Sequence, residues 1–170
     1  MAINSIWVVV ELTEAGPTTT SLELLTAARG LGSSVDAVAW GTNVAANAGV
    51  LGEYGATTVY DIGDIGDALP GSPVAGAIAG AIAGGSGPDA IFIPTSYDGR
   101  DIAGRLSARA DLPVLTNITG LVGGDTMTTQ HPVFGGTRSL MRHSRATVQV
   151  FTSFARSRLL PSHREVLQHR

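Results

Sequence analysis

The chain contains no cysteine and no lysine. The first absence excludes disulfide bridges, thiolate catalysis, iron–sulfur ligation and cysteine zinc sites. The second leaves all eleven basic residues as arginine, which removes a phosphate-loop lysine, a Schiff base and a lysine general base. Charge is scarce as well: 15% of residues are Asp, Glu, Lys or Arg, and the formal net charge is −3 with no block of like charges. Nothing in that balance recommends nucleic acid or an anionic membrane as partner. No long hydrophobic run is present either. The most bilayer-like stretch, residues 74–83, falls well short of the roughly 20 apolar residues a spanning helix needs. The opening MAINSIWVVVEL lacks the charged region and cleavage site of a signal peptide, so a cytoplasmic location is expected.

Motifs are missing too. No Gly-x-Gly-x-x-Gly follows the first strand, and no Gly-x-Ser-x-Gly elbow exists, so neither the common dinucleotide fingerprint nor a hydrolase nucleophile has an anchor. His131, His143, His163 and His169 show no helical ligand spacing and are expected to be exposed or in loops rather than on a metal. Asp61, Asp64 and Asp67 lack the ligand order and terminal Glu of a calcium loop, and solvated turn chemistry explains them better. With no evident nucleophile–base pair, no catalytic residue is assigned.

What is present is 170 residues, 44% of them hydrophobic, enough for one globular domain with a real core. Residues 1–154 are expected to form that domain. Residues 155–170, with Arg156, Arg158, Arg164 and Arg170, read as a tail or linker. Ile6-Trp7-Val8-Val9-Val10 is a β-branched run suited to a central strand buried on both faces. A helical pattern follows at Leu22, Leu25 and Ala28, capped by Ser21 or a threonine before it and stopped at Gly30. Strand signals at residues 35–40 and 57–60 flank a second helix from Val44 to about Tyr54. The alternation β-α-β-α-β predicts a mostly parallel sheet with helices on both faces, a three-layer α/β/α arrangement. A third helix is expected from Ser72-Pro73. Beyond residue 117, short strand-like pieces separated by Gly123-Gly124, Pro132 and Gly135-Gly136 predict an antiparallel extension in the second half.

Residues 89–110 are the most informative. A short apolar strand, Ala90-Ile91-Phe92-Ile93, leads through a polar turn into a helix marked by Ile102 and Leu106. Asp98 is the expected cap, and Asp101 and Arg105, four apart, the expected ion pair. In a parallel α/β sheet the loop after a strand's carboxyl end is where ligands sit. Thr95, Ser96, Gly99 and Arg100 are therefore the candidate residues for a nucleotide phosphate, with Glu11 and Gly41-Thr42 on the same edge.

These pieces in order resemble one family. They are the first strand ending in Glu11; Ser21-Leu22-Glu23-Leu24-Leu25-Thr26-Ala27-Ala28-Arg29; Gly55-Ala56 before the third strand; Gly99-Arg100-Asp101-Ile102-Ala103 with Arg105-Leu106 and Ala108; Thr116-Asn117; and Pro132-Val133-Phe134-Gly135-Gly136. Over roughly residues 5–152 the chain resembles the N-terminal domain of the electron transfer flavoprotein alpha subunit. The resemblance implies a Rossmann-like fold related to adenine-nucleotide-binding domains. It also implies packing with a beta subunit as a heterodimer, and an electron-carrier role within an assembly rather than an enzyme by itself. FAD in that assembly is held mainly by a second, C-terminal domain that this chain is expected to lack, so FAD is not assigned to this chain alone. The chain departs from the family at Thr152-Ser153-Phe154-Ala155, where the family tends to have Thr-x-Arg-Pro. Two other readings stand beside the assembly component. One is a small module binding AMP or another adenine nucleotide; the other is a homo-oligomeric interaction protein joined through the strand-rich second half.

Overall fold

The computed structural model describes residues 3–118, 120–122, 127–133, 138–144 and 149–153. The expected tail, Gly123-Gly124 and Gly135-Gly136 lie outside the described residues. The elements run β1 (Ile3–Val9), β2 (Leu12–Thr13), β3 (Gly16–Pro17), α1 (Thr19–Arg29), β4 (Gly32–Ala39), α2 (Val44–Glu53), β5 (Thr58–Asp61) and α3 (Gly71–Ala83). They continue through β6 (Ala90–Pro94), α4 (Tyr97–Ala110), β7 (Val114–Ile118), β8 (Gly120–Val122), β9 (Met127–Val133), β10 (Arg138–Ser144) and β11 (Gln149–Ser153). Among the described residues no helix is long and apolar enough to cross a membrane.

The main sheet has six strands in the order β5-β4-β1-β6-β11-β7, and every neighbouring pair in it is parallel. Residues along β1 alternate between two cores, which is the period of a strand buried on both faces. Ile6, Val8 and Val10 pack with Leu24, Leu25 and Ala28 of α1 and with Val44 and Leu51 of α2. Trp7 and Val9 pack with Val74, Ala75 and Ile78 of α3 and with Ile102, Ala103 and Leu106 of α4. The three-layer α/β/α arrangement read from the sequence is the one the chain adopts.

The second half sharpens that reading. Its antiparallel strands form a sheet of their own, in the order β10-β9-β8, and β11 then enters the main sheet in parallel between β6 and β7. Parallel neighbours need a long crossover, and here the small sheet lies in the connection from β7 to β11. His131 ties the two sheets. Its Nδ1 lies 2.8 Å from the Thr116 carbonyl on β7 and its Nε2 2.7 Å from Thr129 Oγ1 on β9. A carbonyl only accepts, so Nδ1 carries the proton and, in the neutral ring, Nε2 accepts from the threonine hydroxyl. The expectation of an exposed or loop histidine is thus corrected at this position: His131 is half-buried within a strand.

Candidate functional site: the crevice between β1 and β6

The chain leaves β1 for α1 on one face of the sheet and leaves β6 for α4 on the other, although the two strands are neighbours. This is the topological switch point, where the loops part and open a crevice at the carboxyl ends of the strands. Glu11 stands on one side of it and residues 95–100 on the other.

A small hydrogen-bonded frame fixes Glu11. Its backbone N–H donates to Ser21 Oγ at 2.9 Å, and its carbonyl accepts from the Thr18 N–H at 3.0 Å. Thr18 is the cap of α1: its Oγ1 accepts from the Ser21 N–H and lies 2.8 Å from Ser21 Oγ. Ser21 is fully buried, and its hydroxyl thus has its partners where solvent cannot supply them. The two-strand ribbon β2–β3 closes over this start with Thr13 Oγ1 donating to the Gly16 carbonyl at 2.9 Å. Gly16 turns it at φ +114, a backbone region that glycine enters without a Cβ clash.

Ser96 answers from the turn after β6. Its hydroxyl donates to the Glu11 carboxylate, while its Oγ accepts from the Gly99 N–H at 2.9 Å and caps α4. The cap is therefore Ser96 rather than Asp98, because Ser96 has the extended backbone of a cap residue and Asp98 already lies in the first helical turn. Asp98 still sits where the helix dipole favours an acid. Gly99 is buried, and a Cβ there would run into the Pro94 carbonyl. The Asp101–Arg105 ion pair forms at 2.8 Å on the exposed face.

Burial holds the Glu11 carboxyl above its ordinary pKa. The Ser96 hydrogen bond opposes that shift, the Asp98 charge adds to it, and the Gly99 N–H opposes it. Of the residues read as phosphate candidates, Ser96 and Gly99 are thus joined to Glu11. Thr95 stands beside them partly buried, and Arg100 is exposed on the first turn of α4. Gly41 is drawn away into the loop after β5, where its N–H donates to the Gly63 carbonyl at 2.9 Å. Two carboxylates, Glu11 and Asp98, therefore flank the helix start that a phosphate would approach. The crevice does not fit the pyrophosphate of FAD, and no electron-transfer step is assigned to its residues. The loop after β5 is turn chemistry as expected: Asp61 and Asp64 each accept from the N–H two residues on, at 2.8 Å. Among the described residues no cluster of acids and histidines is gathered to hold a metal.

A parallel, doubly wound domain with a polar switch-point crevice defines a broad class, and comparison with known proteins narrows it. The family model described as the electron transfer flavoprotein domain matches residues 6–158. The electron transfer flavoprotein subunit alpha of Mycobacterium leprae is 36% identical over 132 residues, covering 76% of this chain and 40% of the relative. The protein of the same name from Mycobacterium tuberculosis is 31% identical over 147 residues, 85% of this chain and 45% of the relative. The chain belongs to the electron transfer flavoprotein domain family. It spans less than half the length of the curated relatives it matches.

Proposed function

We propose that the chain is the alpha-subunit N-terminal domain of an electron transfer flavoprotein-like assembly, packing with a beta subunit and supporting electron transfer by FAD held elsewhere in that assembly. The working unit in this reading is residues 1–154 and its location the cytoplasm. The observation that carries the proposal is the family match over residues 6–158, joined by relatives named as alpha subunits. In flavoproteins the flavin does the redox chemistry and the polypeptide supplies position and electrostatics, which agrees with a crevice built for holding loops rather than for a reaction. Co-expression with an electron transfer flavoprotein beta subunit, followed by light scattering, tests it: one complex of the two chains supports the proposal, and two separate species contradict it.

The alternative reading, a stand-alone module taking an adenine nucleotide at Thr95, Ser96, Gly99 and Arg100, is opposed by the Glu11 and Asp98 carboxylates at that helix start. Calorimetry with AMP is expected to give no heat. A homo-oligomer without flavin is the remaining reading, and the same light-scattering measurement on the chain alone detects it.

A further inference from the structure

Two aromatic side chains link the core of the second face to solvent. Trp7 of β1 packs there with Val38 of β4 and with α3 and α4, and it is 5% exposed. Tyr60 belongs to β5, the edge strand of the main sheet, and is 44% exposed. The Trp7 ring reaches across β4 to Tyr60, with ring centroids 5.0 Å apart and the planes tilted by 49°. At that separation the two π-systems are in contact, so an electron can pass between them with no group in the way.

The two rings differ in what they can do after losing an electron. A phenol gives up an electron readily only as its proton leaves, and the exposure of Tyr60 provides water to take that proton. Trp7 is closed off from solvent, but a charge stands beside it. Asp36 is its register partner on β4, so the two side chains leave the sheet on the same face. Asp36 is 7% exposed and its Oδ1 makes no hydrogen bond among the described residues. A carboxylate so placed favours a positive neighbour over a neutral one, which eases the loss of an electron from the indole. The chain has no cysteine, so no thiol competes for an oxidising equivalent.

We propose that Trp7 and Tyr60 form an exit route that carries an oxidising equivalent from the core to the β5 edge. The oxidant is an oxygen-centred radical, a by-product of flavin chemistry with dioxygen. It takes one electron and the indole proton from Trp7 and becomes the corresponding hydroxyl compound. The indolyl radical then takes an electron from the Tyr60 phenol and a proton from water, while the phenol releases its own proton to water. The core indole is restored, and the phenoxyl radical is left at the surface within reach of soluble reductants. The route rests on the reading that the chain works beside a flavin, but its test needs neither flavin nor beta subunit, so the two fail or succeed separately.

The probe is the azide radical, generated by pulse radiolysis in a solution of the intact chain; it takes one electron and leaves as azide ion. The chain has two tryptophans and three tyrosines, so Trp40→Phe leaves Trp7 as the one indole. The expected result is a first-order decay of the tryptophanyl absorption, independent of chain concentration, with phenoxyl absorption growing at the same rate. Phenylalanine cannot take over the role of the phenol, so Tyr60→Phe is expected to abolish that phase, whereas Tyr54→Phe and Tyr97→Phe keep it. The parent chain carries the same phase, so Tyr60→Phe alone, a change at a half-exposed ring, tests the route even where Trp40→Phe does not fold. A phase unchanged in Tyr60→Phe, a phase lost in Tyr54→Phe or Tyr97→Phe, or no slow phenoxyl growth overturns the proposal.

Discussion

Glu11 and Asp36 are both carboxylates set among the apolar strands of one sheet, and their surroundings differ in kind. Glu11 sits where two loops part, and those loops bring hydroxyls and N–H groups to it: Ser96 at its carboxylate, Ser21 and Thr18 at its backbone. Asp36 sits inside a strand, where neighbours supply side chains of fixed direction and the backbone is committed to the ladder, and among the described residues its Oδ1 has no hydrogen-bond partner. Sheet ends can satisfy a polar group from within the chain because capping residues and free helix N–H groups gather there. Strand interiors cannot, unless a cross-strand partner stands opposite.

That contrast can be broken or sharpened by substitution. The largest effect is expected at Gly99→Ala, whose Cβ meets the Pro94 carbonyl. A backbone obstacle cannot rotate away, so a loss of about 3 kcal/mol in urea denaturation is expected. Ser96→Ala removes the α4 cap and the Glu11 partner together, and is expected to cost about 1–2 kcal/mol by the same measurement. Asp36→Asn, at the other acid, is expected to leave stability unchanged or raised within about 1 kcal/mol, since Oδ1 has no hydrogen bond to lose among the described residues.

The pH dependence gives a separate handle on Glu11. Burial raises the folded-state pKa of Glu11 above its ordinary 4.5, so the folded chain keeps this proton where the unfolded chain has released it. The associated stability is full below the ordinary value and is lost as pH rises through the raised one. Glu11→Gln is expected to flatten that fall, read as thermal midpoints across the acid range. The smallest effect is expected at Asp101→Ala. Its ion pair with Arg105 is about half exposed, and a change within about 0.5 kcal/mol is expected.

Much of the parallel half was legible in the sequence, because its signals are local. Ile6-Trp7-Val8-Val9-Val10 announces a central strand, and the alternation of helix and strand patterns announces the doubly wound order. The loop after Pro94 was legible as the place to look for a ligand, since sheet topology alone locates it. Its chemistry was not. The Glu11–Ser96 hydrogen bond joins residues 85 apart, and no periodicity reports such a pairing. The cap at Ser96 rather than Asp98 turned on a shift of two positions in where the helix begins, the scale on which helix boundaries are least defined by pattern. The return of β11 into the main sheet was hidden for a related reason: its residues favour a strand, but the partner and direction of a strand are long-range facts. Asp36 falls within the strand signal at residues 35–40, and a single acid in an apolar run does not say whether its oxygens find partners.

The most direct measurement is a pair of urea denaturation curves, Ser96→Ala and Asp36→Asn beside the parent chain at neutral pH. The expected result is a lower midpoint for Ser96→Ala and an unchanged or higher one for Asp36→Asn. A loss at Asp36→Asn as large as that at Ser96→Ala would contradict the account, because it would mean that the strand acid is held from within the chain as firmly as the crevice acid.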